Sequence, residues 1–221
     1  AVALVTASPQ AAEEIAAAKK PNVIFVLVDD MGYMDLGCYG SDLYRTPHID
    51  RMASQGLRFT NAYAASHVCS PTRGSLLSGQ YPARTRLTNI PATPNPYAKM
   101  REGQSTRALS KEVPTLGELL QKEGYATAWL GKWHIGESAA QRGFNAGRQD
   151  WSLNTMASET DPKGALKLTR EAVDFMAANH DKPMFIGVSH SVQLMLRSQN
   201  LCALDCRNRH KGTKTPRSMT S

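Results

Sequence analysis

Residues 22–30, NVIFVLVDD, set the fold class. From 22 to 28 the run is β-branched and apolar with no polar alternation, the pattern of a strand covered on both faces in a parallel sheet. It stops abruptly at two adjacent carboxylates, Asp29 and Asp30. Working outward, helix signals alternate with strand signals. In TPHIDRMASQG (46–56), Thr46 is an N-cap, Pro47 opens the first turn and Gly56 stops the helix. LRFTNAYA (57–64) reads as extended. TRGSLLSG (72–79) makes two turns of helix closed by Gly79, and residues 81–110, rich in Pro, Asn, Thr and Arg, read as a long surface excursion. VPTLGELLQKEG is a Pro-started, Gly-ended helix, and YATAWLG is a strand. DPKGALKLTREAVDFMAANH is an amphipathic helix, and PMFIGVS is a last buried strand. The alternation predicts an α/β layered fold with a mostly parallel sheet.

The 221 residues are enough for one sizeable core, and 41% hydrophobic with 20% charged residues is an ordinary globular mixture. The net charge of +7 invites a nucleic-acid reading, but residues 188–221 hold six basic side chains against one acid. The body of the chain is close to neutral, so no nucleic-acid partner is expected. No run approaches the roughly 20 apolar residues that span a bilayer. AVALVTASPQAAEEIAAAKK (1–20) has the apolar run and small-residue stretch of a secretory-signal remnant, which predicts an exported protein, periplasmic or secreted. Cys38, Cys69, Cys202 and Cys206 are too few and too unevenly placed for a disulfide framework. Cys202 and Cys206 with His210 fit no strong zinc-ligand spacing.

Ligands gather at the carboxyl ends of parallel strands, and the chemistry-bearing residues fall there. Adjacent carboxylates repel unless a cation sits with them, so Asp29 and Asp30 are candidate ligands for a hard divalent ion. The alternative is a solvated loop pair. Cys69 opens a helix, where unpaired amides favour negative charge, with Arg73 one turn on. That suits a thiolate nucleophile, and equally a half-buried inert cysteine; a phosphatase-type loop is excluded because Ser75 stands where its Arg would be. In GKWHIG, Lys132 and His134 share a side if the segment is extended, the first offering a point charge for an anion and the second a proton shuttle.

Three stretches, PNVIFVLVDDMGYMDLGCYG, CSPTRGSLLSGQYPAR and GYATAWLGKWHIGE, in this order resemble the type I sulfatases of the alkaline phosphatase superfamily. The Cys-x-Pro-x-Arg signature stands as Cys69, Pro71 and Arg73. The resemblance covers about residues 21–190 and implies an α/β fold of alkaline-phosphatase-like α/β/α layers. In this family the cysteine is a precursor, converted by a separate formylglycine-generating maturation enzyme. The hydrated aldehyde presents two hydroxyls: one attacks the sulfur of a sulfate ester, and the second, once deprotonated, re-forms the aldehyde and ejects sulfate. The resemblance further implies calcium held by Asp29, Asp30 and the modified residue 69, with Arg73 orienting that side chain. Lys132 would bridge to the sulfate, and His134 would hold and deprotonate the second hydroxyl. The implied substrate is a small-molecule or carbohydrate sulfate ester. Relatives with the same chemistry attack phosphorus, so a phosphonate monoester or phosphodiester hydrolase is the second enzyme reading.

Past PMFIGVSH the family continues into a His-x-Pro-like element that residues 191–221 do not repeat, and His190 precedes the functional position. Later metal ligands, a further lysine and the smaller C-terminal domain have no counterpart. The expected organisation is a leader over 1–20, the N-terminal part of a sulfatase catalytic domain over 21–190, C-terminally truncated, and a non-family tail over 191–221. The basic, aperiodic tail reads as translation out of frame, which a downstream reading frame restoring the motifs would bear out. Calcium prefers about 6–8 oxygen ligands, so weak affinity, an open sheet edge and an inactive fragment are the corresponding expectations.

Overall fold

The computed structural model describes residues 20–90, 103–147, 161 and 164–191. Four strands form one sheet: β1 (Val23–Asp29), β2 (Ala126–Gly131), β3 (Ala146–Gly147) and β4 (Met184–Ser191). Their order is β1-β4-β2-β3 and each neighbouring pair is parallel. Strand β4, the last in sequence among the described residues, therefore lies in the interior, with Phe185 in register with Val23 on one side and Thr127 on the other.

Among the described residues five α-helices accompany the sheet: α1 (Pro47–Gln55), α2 (Cys69–Ser78), α3 (Pro82–Thr85), α4 (Leu116–Lys122) and α5 (Ala165–Ala178). Local chemistry sets their ends. Helix α4 starts in a capping box: Thr115 Oγ1 accepts from Glu118 N–H, and the Glu118 carboxylate accepts from Thr115 N–H at 2.6 Å. Pro114 thus lies ahead of the cap. Helix α2 stops where Gly79 turns left-handed at φ 67° and returns its N–H to Ser75 O.

Alternate side chains of the central strands enter two separate cores. Trp129 and Phe185 pack toward Leu77 of α2 and Leu116 and Leu120 of α4, joined by Trp133 and Phe144. The Trp129, Trp133 and Phe144 rings meet edge to face, with centroids 5.5–5.8 Å apart. Gly187 makes room: a Cβ there would lie 2.3 Å from the Trp129 ring. On the opposite face Ala126, Ala128, Leu130, Met184, Ile186 and Val188 meet Leu168 and Ala172 of α5. Helices on both faces of a parallel sheet give the α/β/α layering that the sequence predicts.

Three expectations need correction. Strand β1 is an edge strand among the described residues; Phe25 and Leu27 join the aromatic core, but Ile24 and Val26, on the face that α5 covers elsewhere, are 57% and 56% exposed. Helix α5 spans β2 and β4 and does not reach that far. Residues 57–64 form no strand, and Leu57, Phe59 and Tyr63 stay exposed, because no other described segment pairs with them. Residues 81–110 are not wholly a surface excursion: they contain α3, and Leu87 and Leu109 are buried in the aromatic core. Residues 1–19 and 192–221, including Cys202, Cys206 and His210, lie outside the described residues.

Candidate active site

The site assembles where β1, β2 and β4 end and α2 begins. Asp29 closes β1, Lys132 directly follows β2, Ser189 lies near the end of β4, and Cys69 is the first residue of α2. Arg73, four residues into α2, lies on the same side of the helix as Cys69 and is 1% exposed. Its guanidinium reaches all three strand ends. Nη2 donates to Asp29 Oδ1 at 3.3 Å, and Nη1 donates to Ser189 Oγ at 2.7 Å and to the Lys132 carbonyl. The buried Nε has no partner.

Asp29 is shared between two cations, with Arg73 on Oδ1 and Lys132 Nζ on Oδ2. Burial works to raise the Asp29 carboxyl, and the Lys132 and Arg73 cations overrule it and hold the pKa below 3.8. Burial lowers the Arg73 pKa, opposed by the charges of Asp29, Cys69 and Asp30. That opposition records how closely the two acids and the cysteine gather about one guanidinium. Asp30 itself adopts a left-handed φ of 59° and is exposed.

Cys69 Sγ lies 3.1 Å from His134 Nδ1, within reach of a sulfur hydrogen bond whichever partner donates. His134 has a left-handed φ of 64°, unusual for a side chain with a Cβ, so the GKWHIG segment is not extended as expected. The alternation nonetheless survives: Trp133 and Ile135 are buried, while Lys132 and His134 are half-buried on the open side. Anchors on both flanks hold the turn. Lys132 N–H donates to Ser189 O at 3.2 Å, and Leu109 N–H donates to Ile135 O at 3.0 Å. Burial depresses the His134 pKa below 6.5, helped by Lys132 and Arg73 and opposed by Asp29, so the imidazole is neutral at pH 7.

All six residues singled out in the sequence therefore come together: Asp29, Asp30, Cys69, Arg73, Lys132 and His134. His190 does not join them. It alternates to the other face of β4, where burial lowers its pKa against the opposing charge of Asp161. Sequence reasoning missed Ser189, whose only signal was a small hydroxyl at the carboxyl end of the apolar run MFIGV.

The profile of the Sulfatase family matches residues 21–191. The chain belongs to the sulfatase family. Among its sulfatase relatives, an N-acetylgalactosamine-6-O-sulfatase of Bacteroides thetaiotaomicron is 43% identical over 118 residues, 53% of this chain and 21% of that protein. A human steryl-sulfatase is 41% identical over 122 residues, covering 55% of this chain and 20% of its own length. The chain thus spans about a fifth of the length of the curated sulfatases it matches. A solved protein in complex with its substrate D-glucosamine-2-N,6-O-disulfate superposes with a TM-score of 0.57 at 26% identity, over 77% of this chain and 34% of that one.

The site also bears on the cation that membership of the family implies. Asp29 and Asp30 offer hard carboxylate oxygens at one strand end, the donor type that calcium prefers. Both oxygens of Asp29 are taken up by cationic side chains, so an ion bound there would have to displace Lys132 from Oδ2. The fit is in donor type: among the described residues no three His, Cys, Asp or Glu side chains cluster as a complete metal site.

Proposed function

We propose that this site hydrolyses a sulfate ester, with residue 69 as the reacting group after conversion to formylglycine. The observation that carries the reading is Arg73: a fully buried guanidinium with one unsatisfied N–H, four residues from a cysteine that already contacts a neutral histidine. Buried donors without acceptors are rare and point to a group still to be bound. An oxygen on residue 69 or on the sulfate would satisfy it.

Each side chain has a distinct task. Arg73 fixes the orientation of residue 69 and offers positive charge where negative charge develops. Lys132, half-buried, exchanges its contact with Asp29 for the incoming sulfate. His134 is neutral, hydrogen-bonds the side chain of residue 69 through Nδ1, and accepts a proton from it. Asp29 and Asp30 would hold calcium. When bound, that cation favours the ionised form of the attacking oxygen and polarises the ester. Formylglycine in its hydrated form supplies one hydroxyl that attacks sulfur and another that allows sulfate to leave.

The substrate class we infer is a small-molecule or carbohydrate sulfate ester, supported by the sugar sulfate named for one relative and bound by one structural neighbour. Conversion of Cys69 requires a maturation enzyme as a partner. Among the described residues no helix is long and apolar enough to cross a membrane, and we infer export from the leader-like residues 1–20.

Peptide mass spectrometry of residue 69, combined with turnover of an aryl sulfate and an aryl phosphodiester with and without calcium, tests the reading. Formylglycine at residue 69 with calcium-dependent sulfate release supports it. Faster cleavage of the phosphodiester transfers the site to phosphorus chemistry, and an unmodified thiol with no turnover marks the chain as inactive.

A further inference from the structure

We propose that Ser189 is a positioning residue for this reaction, its hydroxyl fixing the plane of the Arg73 guanidinium. The inference rests on the sulfate-ester reading above and adds a residue to it. Strand β4 runs between β1 and β2, so Ser189 stands in register with Leu27 on one side and Gly131 on the other. It is completely buried, and its Oγ accepts from Arg73 Nη1 at 2.7 Å. Its backbone carbonyl accepts from Lys132 N–H at 3.2 Å. One serine thus joins the helix that carries residue 69 to the turn that carries Lys132 and His134. Gly131 permits the close approach, since a Cβ there would lie 2.2 Å from Ser189 O.

The geometry gives the hydroxyl a task that packing alone does not require. A guanidinium is a rigid plane, and Nη1 has two N–H groups that diverge within it. Ser189 Oγ and Lys132 O take both, while Asp29 takes one from Nη2. Three acceptors at three strand ends define the plane, and the plane aims the unpartnered Nε. Remove the Ser189 oxygen and Nη1 keeps a single anchor. The group then tilts, a buried N–H loses its acceptor, and Nε no longer addresses a fixed point.

Ser189→Ala and Ser189→Thr, made in the formylglycine-bearing protein, test this by two measurements. In aryl sulfate kinetics, Ser189→Ala is expected to lower kcat about tenfold with KM changed by less than about twofold, because the lost contact orients the reacting residue and does not bind ground-state substrate. Ser189→Thr, which keeps the oxygen, restores kcat. In nitrogen-15 spectra of the arginine side chains, the Arg73 Nη protons are separately resolved in the native protein and the Thr variant, and merge in the Ala variant. Unchanged kcat with resolved Nη signals in Ser189→Ala overturns the proposal. So does a loss of kcat that Thr does not restore and that tracks a lowered melting temperature, which would assign Ser189 to packing. No turnover by the native protein, with Arg73 signals that still merge in Ser189→Ala, sinks the sulfate-ester reading and leaves the hold on Arg73 standing.

Discussion

Strand β2 passes within three residues from the driest part of the molecule to the most charged. Trp129 is fully buried among Phe25, Trp133, Phe144 and Phe185, whereas Lys132 makes a half-buried ion pair with Asp29. The two regions even share an atom, because the Trp129 indole N–H and Arg73 Nη1 both donate to the Lys132 carbonyl. The aromatic cluster holds the fold by area removed from water and by edge-to-face contacts. The charged edge is held by few contacts, each specific in direction. Disturbing the first should therefore be read in stability, and disturbing the second in activity.

Four substitutions break or sharpen that contrast. Trp129→Ala, which empties the centre of the aromatic core, is expected to destabilise the chain by about 3–5 kcal/mol, read from the denaturant midpoint. Arg73→Lys keeps the charge but cannot reach three strand ends. Aryl sulfate kcat should fall about 100- to 1000-fold, with melting curves showing a much smaller change than for Trp129→Ala.

The third concerns pH. His134 titrates below 6.5 because it is buried and flanked by Lys132 and Arg73. The folded state therefore prefers the neutral ring. Its contribution to stability is fully present above 6.5 and is lost as pH falls through the lowered folded value. Lys132→Met removes one opposing cation, so the His134 ring should titrate at higher pH in an NMR titration. A shift downward would contradict the assigned cause.

The smallest effect belongs to Ile24→Thr. That side chain is exposed, so stability should change by no more than about 0.5 kcal/mol in the same denaturant measurement. A large loss would mean that something covers this face of β1.

The strands that build the site were readable because each is a short apolar run, NVIFVLV, TAWLG and MFIGV, and the first two stop at a chemistry-bearing residue, Asp29 and Lys132. Helix α2 was readable from its punctuation, with a proline inside its first turn and Gly79 at its end. Neighbourhood was not. Periodicity reports which faces a strand can bury and nothing about which strand lies beside it, so the edge position of β1 had no local signal. Residues 57–64 show the converse, a convincing strand pattern that the described residues leave without a partner. Leu87 and Leu109 were obscured by the polar, proline-rich sequence around them. The family motif picked out Cys69, Arg73, Lys132 and His134, but it was silent on Ser189, whose importance exists only once β4 has slipped between β1 and β2.

The reach of Arg73 has one more consequence. Its three acceptors lie 44, 59 and 116 positions away along the chain. Contacts of such span close late in folding, after their intervening loops have been gathered in. A half-folded molecule would hold a helix with its cysteine but no clasp around it. On the proposed reading turnover would report the finished topology, and a folding experiment that follows the return of activity would time the arrival of β4 between its neighbours.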